Sequence, residues 1–341
     1  MDITRREAFR IITAVGGLLA ANRIGSPSIV FAQRPLERFK VVYASATSGG
    51  PIWLAHEKGR FKAHGLDPEL VFISGTTAVV QSTVAGESPI SYAAAPAMLN
   101  AAVAGADLVL IAGAVNTLVY DLVVHPSITR VEDLRGKVIG VTRFGSSSDF
   151  SIRMVLERKW GLHPGKDIFI RQMGDNAAIA SALQAGAIHA APLTTDTRLK
   201  VEKLGLKTLV DLGSLGIDYQ HTAVITTREF IKKNEDTVRR FMKAFVEGIH
   251  LFRTDKASAI KVLSKYAKTN DPELLEAYYK EYENIFPKAP YPTLKGIQVI
   301  LDDIAKTKPE AKNSRPEEFV DLRFVKELEE SGYIERLYRG A

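Results

Sequence analysis

The stretch that most restricts the fold runs from Phe39 to Ile73. Phe39 to Tyr43 is apolar and rich in β-branched residues, the composition of a buried strand. The small residues Ser45-Ala46-Thr47-Ser48-Gly49-Gly50 follow. Pro51 comes next and suits a first helical turn, because the amide hydrogen it lacks would have no partner there. Ile52, Trp53, Ala55, Lys58 and Gly59 are expected on a short helix, Gly65 ends a further turn, and Leu70 to Ile73 starts a second strand. Strand, small-residue loop, helix, strand is the unit of a parallel sheet, where ligands bind beyond the carboxyl ends of strands. The loop's hydroxyls and amides are therefore candidate ligand contacts, although a βα unit that binds nothing has the same pattern.

The same grammar continues along the chain. A helix over 78–85, with Thr76 or Thr77 as its cap, leads to a strand over 90–93. A helix over 97–104 and strands over 108–114 and 122–125 follow. A second round starts near Thr129, with strands over 138–142, 168–171, 188–193, 207–212 and 222–227. Residues 82–96 (STVAGESPISYAAAP) and 180–194 (ASALQAGAIHAAPLT) both read as helix, glycine stop, short strand and small-residue exit. Such a repeat marks two similarly built lobes, and the common grammar of αβ units also produces it. Beyond Glu229 the pattern is helical, over 229–253, 256–266, 272–285, 294–306 and 320–331. Val238, Phe241, Met242, Phe245, Ile249 and Phe252 recur at three- and four-residue spacing, so that face packs on a core.

With 341 residues the chain is long enough for two domains, each with its own core. It has no cysteine, which excludes disulfides, thiolate metal sites, cysteine nucleophiles and lipid attachment through an N-terminal cysteine. The net charge of +6 is carried by basic residues scattered beside acids, a solvated surface rather than a nucleic-acid footprint. At the start, Arg5-Arg6 precedes a short apolar run, Ile11 to Ala21, which is too short to span a bilayer. Val30-Phe31-Ala32 offers small residues for cleavage, so residues 1–32 read as a signal peptide. The paired arginines are similar to a twin-arginine signal, with Phe9 one place late; a general secretory signal is the alternative. Either way the mature chain is expected outside the cytoplasm, in the periplasm or an equivalent space. Enzyme signatures are sparse. Gly140 to Ser146 has the glycine spacing of a phosphate loop without its lysine, and no G-x-S-x-G elbow occurs. None of the seven histidines forms an H-x-x-x-H pair. No catalytic residue, cofactor or metal is expected.

Residues 51–70, PIWLAHEKGRFKAHGLDPEL, resemble the opening of periplasmic solute-binding proteins of ABC importers, in the nitrate/sulfonate/taurine class. The resemblance rests on Pro51 to Ala55, then Glu57, Lys58, Gly59 and Phe61, then Gly65, Leu66 and Asp67. Val131 to Lys137 resembles the crossing that opens the second lobe in that superfamily, and the likeness extends more weakly over most of 39–255. It implies a periplasmic binding protein fold of type II: two α/β lobes, a two-strand hinge and a helical C-terminal extension on lobe one. Lobe one would be 38–125 plus 226–341 and lobe two 126–225, with crossings near His125 and Ala223. It also implies a monomer that captures a small, anionic solute between its lobes and delivers it to the transmembrane subunits of an ABC permease. Sulfonate, nitrate, taurine and related organic acids are the solutes of that class. Thiamine-pyrimidine-synthase-like enzymes share the fold, but they carry a cysteine-rich segment absent here. A sensory receptor without transport is the other alternative.

The sharpest site expectation is Gly145-Ser146-Ser147-Ser148, after a strand and at the start of a helix. Free amides, the positive helix end and hydroxyls there suit an anion; a plain N-cap would explain one serine. Arg143 could add a charge-assisted bond or form a surface ion pair. The facing wall would hold Ser45, Thr47, Ser48 and Gly49, with Ser74-Gly75 and Ala94-Ala95 at the next strand ends. Thr194, Thr195 and Asp196 are at the equivalent exit in lobe two. Asp196 would cap a helix starting at Thr197 or meet a cationic group on the ligand. Trp53 and Tyr219 would line the pocket or pack in the core, and His221 is the histidine placed to touch a ligand.

Overall fold

Residues 35–44 and 48–339 are described in the structure, a computed structural model. The expected signal peptide and Ser45 to Thr47 lie outside the described residues. The chain runs β1 (Glu37–Tyr43), α1 (Gly50–Glu57), α2 (Arg60–Ala63), β2 (Leu66–Phe72), α3 (Thr76–Val84), β3 (Ile90–Ala94), α4 (Ala95–Val103) and β4 (Val109–Val115). It crosses at 116–120 and continues as β5 (Asp121–Val124), β6 (Val138–Val141), α5 (Ser147–Trp160), β7 (Phe169–Gln172), α6 (Asn176–Gln184), β8 (Ala190–Leu193), α7 (Thr195–Glu202) and β9 (Lys207–Asp211). It returns through 212–221 into β10 (Thr222–Thr226). Helices α8 (Arg228–Thr254), α9 (Lys256–Ala267), α10 (Pro272–Tyr282), α11 (Leu294–Ile304), α12 (Arg323–Glu330) and α13 (Tyr333–Arg339) complete it.

Two five-stranded sheets result, in the orders β2-β1-β3-β10-β4 and β7-β6-β8-β5-β9. They are built alike. In each, three strands run parallel and one antiparallel strand separates them from the last. The antiparallel strand is in both cases the first one the chain makes after crossing from the other sheet: β5 in the second, β10 in the first. The repeated segments 82–96 and 180–194 fall on α3–β3 and α6–β8, which hold equivalent places.

This arrangement corrects the expected crossings. The 122–125 strand, assigned to lobe one, is β5 and pairs with β8 and β9 in the second sheet. His125 does not sit at a hinge; its amide donates to the His189 carbonyl at 2.9 Å. Residues 222–225, assigned to lobe two, belong to β10 in the first sheet. Local expectations shift for similar reasons. Gly75, rather than a threonine, occupies the cap position of α3, and the Thr76 and Thr77 hydroxyls have no partner among the described residues. Thr194 occupies the cap position of α7, which puts Asp196 in its first turn. The helix expected over 320–331 begins only at Arg323, and α13 follows after a break at Gly332.

Helices α1 and α8 pack together in the core of the first lobe. The apolar stripe of α8 does what its spacing implies: Phe241, Phe245, Ile249 and Phe252 are fully buried. Thr227 caps the helix by accepting from the Phe230 amide at 3.0 Å. A second apolar cluster runs through both lobes, joining Met98 of α4, Ile152 and Val155 of α5 and Ile297 and Leu301 of α11. From Leu36 onward the chain is one compact unit.

The α1–α8 contact depends on Gly248. A β-carbon there would lie 2.0 Å from the Pro51 carbonyl oxygen and 3.1 Å from the Ala55 β-carbon. Gly to Ala inside a helix ordinarily gains about 1 kcal/mol from backbone entropy. Here the clash is with backbone, which no rotamer change relieves, and overpacking of this kind costs about 1–3 kcal/mol. Gly248→Ala is expected to lower unfolding stability, read as a lower urea midpoint at unchanged slope; a gain in stability would show that the helices can part without penalty.

Candidate functional site

A cavity of about 430 Å³ lies between the two sheets, within the usual range for small-molecule sites. Ala44, Phe72, Ser74 to Thr76 and Ala93-Ala94 line it from the first lobe. From the second come Thr142, Ser146 to Ser148, Asp175 to Ala177, Thr194 and Asp196. The crossings supply Tyr120 and His221, and Thr222 follows. Every parallel strand on the cavity ends there, and α3, α5, α6 and α7 all start there. Four helix N-termini thus present amides and positive dipole ends to one space.

The three serines have separate jobs. Ser146 and Ser148 share a hydroxyl triangle with Thr142, at 3.0 and 3.1 Å, and the Thr142 amide donates to Ser148 Oγ at 3.2 Å. Gly145 lies outside the lining, and its amide donates at 2.9 Å to Asp149, which also accepts from Arg153 at 2.6 Å. These bonds fix the loop. Ser147 Oγ, buried on the cavity wall near the Tyr120 and Tyr219 hydroxyls, makes no hydrogen bond of good geometry with the described residues. Thr76 Oγ1 faces it from the other lobe in the same condition.

His221 and Tyr120 form the aromatic floor, with ring centroids 5.4 Å apart and the planes edge to face. His221 Nδ1 is 2.7 Å from Thr222 Oγ1, and its Nε2 is buried without a partner among the described residues. Burial lowers the imidazole pKa to about 3, so the ring is neutral at pH 7. Burial likewise pushes the Tyr120 phenol up to about 12, with the Ser147 hydroxyl pulling the other way. Asp196 accepts from the Thr194 hydroxyl, and from that of Thr197 at 3.4 Å. Burial raises its pKa, and Thr194 opposes the shift. Asp175 is occupied as the cap of α6, accepting from the Ala178 amide at 2.8 Å. Among the described residues the lining contains no lysine or arginine. Arg143 is exposed at the rim, where its side chain crosses to the first lobe and lies over Gly75. A β-carbon on Gly75 would meet Arg143 Nε at 2.9 Å, and at φ +90° the position suits glycine in any case. Arg143 forms no ion pair with the described residues.

Of the residues expected at a site, Ser74, Gly75, Ala94, Ser146, Ser147, Ser148, Thr194, Asp196 and His221 are brought together on this cavity. The others are elsewhere. Trp53 is fully buried, stacked on Tyr266 at 4.7 Å and edge-on to Tyr43 at 5.8 Å. Gly49 packs against its indole. Ser48 is buried beside β10, its hydroxyl 3.3 Å from Thr222 Oγ1 and its carbonyl accepting from Tyr92 at 2.7 Å. The Ala95 amide donates to the His221 carbonyl at 2.8 Å. Tyr219 is a core residue whose hydroxyl accepts from Ser151 at 3.3 Å. Thr195 faces away from the cavity, toward α10. Ser45 and Thr47 lie outside the described residues. Thr76, Tyr120, Thr142 and Asn176 line the cavity unforeseen. The repeat could have found Asn176, since 173–176 holds in the second round the place of 73–76 in the first. Among the described residues no His, Asp and Glu cluster could hold a metal ion.

Comparison with known proteins agrees with this geometry. Residues 47–259 match the family described as NMT1/THI5 like. The chain belongs to that family. It is 25% identical over 263 residues to YtlA of Bacillus subtilis, named a binding protein, covering 74% of this chain and 78% of that one. Over a shorter stretch, 30% of each chain, it is 31% identical to a protein of Brachyspira hyodysenteriae named an ABC transporter periplasmic binding protein. Among solved structures, the aliphatic sulphonate binding protein SsuA of Escherichia coli superposes with a TM-score of 0.63 at 20% identity, covering 80% of this chain and 86% of that one. The nitrate-binding protein NrtA of Synechocystis gives 0.67 at 13%, covering 87% and 89%. These likenesses establish the fold of this family member as that of periplasmic binding proteins, with two α/β lobes of type II.

The buried, neutral His221 makes a prediction for the family member in acid. Its pKa is lower folded than unfolded, so the unfolded chain binds more protons and stability falls as pH drops from about 6.5 toward 3. Urea unfolding between pH 7 and 5 should show wild type losing stability more steeply than His221→Gln, by up to about 1.4 kcal/mol per pH unit. Equal slopes would mean that the ring is charged or hydrated in the folded protein.

Proposed function

We propose that this chain is an extracytoplasmic solute-binding protein of an ABC importer, which captures a small anionic solute in the interlobe cavity and delivers it to a membrane permease. The observation that carries the reading is the convergence of four helix starts on one cavity, with unpartnered hydroxyls on both walls. Such a site stabilises an anion through amides and dipoles without needing a buried cation. The names of the relatives support binding rather than catalysis. In this reading the two sheets are two lobes, first residues 36–115 with 222–339 and second 121–211, and the crossings are the hinge. The lobes close because the solute contacts both, so closed contacts add to its affinity. The N-terminal segment serves as an export signal, the mature chain works outside the cytoplasm, and it acts as a monomer.

Ser147 Oγ, Thr76 Oγ1 and the amides of α5 and α3 would meet the anionic end. Asp196 and His221 Nε2 lie on the same cavity and would meet an N–H or ammonium group. Within the sulfonate, nitrate and taurine class, an amino-sulfonate of the taurine type uses both. A thermal-shift screen with nitrate, ethanesulfonate and taurine tests this. A specific solute at about 100 times its dissociation constant adds about 2.7 kcal/mol of stability. Ser147→Ala is expected to weaken binding about tenfold and Asp196→Asn to weaken taurine more than ethanesulfonate. No shift with any of these anions, or shifts unchanged by Ser147→Ala, would remove this solute class from the site.

A further inference from the structure

Helix α7 of the second lobe lies beside α10 of the first. At the outer end of this seam Lys203 pairs with Asp271 at 3.0 Å and Glu273 at 3.5 Å. In the middle, Leu199 packs against the core of the first lobe. At the inner end, Glu281 of α10 faces the start of α7 across a second cavity, of about 520 Å³, whose walls include Asp121, Thr195 and Arg198. Glu281 Oε2 is buried and has no hydrogen-bond partner among the described residues.

Glu281 forms no direct ion pair among the described residues, and the Arg198 charge only partly offsets its burial. Arg198 of α7 is engaged on its own lobe, with Asp121 of β5 at 2.7 Å and Glu202 of α7 at 2.9 Å. Lys280 of α10 is 3.6 Å from Glu276, one turn back. Asp196 of α7, Asp211 at the end of β9 and the Tyr278 phenol on α10 add negative or neutral groups. Glu281 thus reaches from one lobe into a carboxylate-lined part of the other.

We propose that closure of the cleft inserts Glu281 as a neutral acid into the α7–α10 seam, so that the closed protein takes up a proton and opening releases it. The proposal rests on the two-lobe closure described under the proposed function. Burial holds the Glu281 carboxyl at about 8 against an ordinary 4.5, with the Thr195 hydroxyl and the Arg198 charge opposing and Asp121 and Asp196 adding to the rise. When the seam parts, water reaches the carboxyl and removes the main cause of that rise. The Asp121–Arg198 pair moves as one, since both residues belong to the second lobe. The closed form therefore binds the proton more tightly than the open form. Between about 4.5 and 8, each unit rise in pH weakens closed relative to open by up to tenfold. Solute affinity falls in the same direction, because closing and proton uptake are linked.

The chain has no cysteine, so two introduced ones can be labelled cleanly. Gln81 on α3 and Gln184 on α6 are exposed and lie on opposite lobes. Spin labels at Gln81→Cys and Gln184→Cys, with no solute added, report the cleft distance by pulsed electron resonance from pH 5.5 to 8.5. The short-distance population should decline as pH rises, and Glu281→Gln should hold it constant across the range. Glu281→Ala, which also lacks the acid, should be equally insensitive to pH. A wild-type distance that ignores pH, or a pH dependence that survives in both variants, would overturn the proposal. Because no solute is used, that failure is distinct from a failure to find a bound anion.

Discussion

Each helix that starts at the cavity starts there because a parallel strand has just ended there. A right-handed βα unit places the carboxyl end of its strand and the amino end of its helix on the same edge of the sheet. Two such sheets, turned edge to edge, leave a space ringed by the amino ends of helices. The rest of the site elaborates that constraint. Small residues at the strand exits, such as Ser74-Gly75 and Ala93-Ala94, keep the edge open, and hydroxyls furnish donors without bulk.

The polar groups on the wall divide into those that hold the wall and those that face the space. Thr142, Ser146 and Ser148 satisfy one another, and Asp175 satisfies α6. Ser147, Thr76 and His221 Nε2 have no well-formed hydrogen bond among the described residues. A buried polar atom without a partner costs about 1–3 kcal/mol, and in the proposed function a bound solute would recover that cost. Among the described residues no lysine or arginine lines the cavity, and Arg143 lies at its rim, over Gly75 of the first lobe.

Much of this was legible in the residues. The strand–loop–helix unit at 39–59, the repeat and the α8 stripe follow from periodicity, and α5 starts where the serines sit. What was not legible concerns partners distant in sequence. Nothing local tells that Trp53 stacks on Tyr266 rather than facing the cavity, or that Ser48 is enclosed by Tyr92 and Thr222. The crossings were misplaced because β5 and β10 are apolar strands like their neighbours. Their sheet membership is decided by pairing with β8 and β9, and with β3 and β4. Among three adjacent serines, only the geometry of Thr142 distinguishes the free hydroxyl.

The exchanged strands also bear on how the chain is made. The second sheet draws all its strands from one continuous stretch, 121–211, so it can be assembled once that stretch has left the ribosome. The first sheet cannot. Until residues 222–226 emerge, β3 and β4 face each other across an unfilled slot, and the aromatic stripe of α8 has yet to cover them. The sheet whose strands begin to be translated first is therefore the last to have all its strands available.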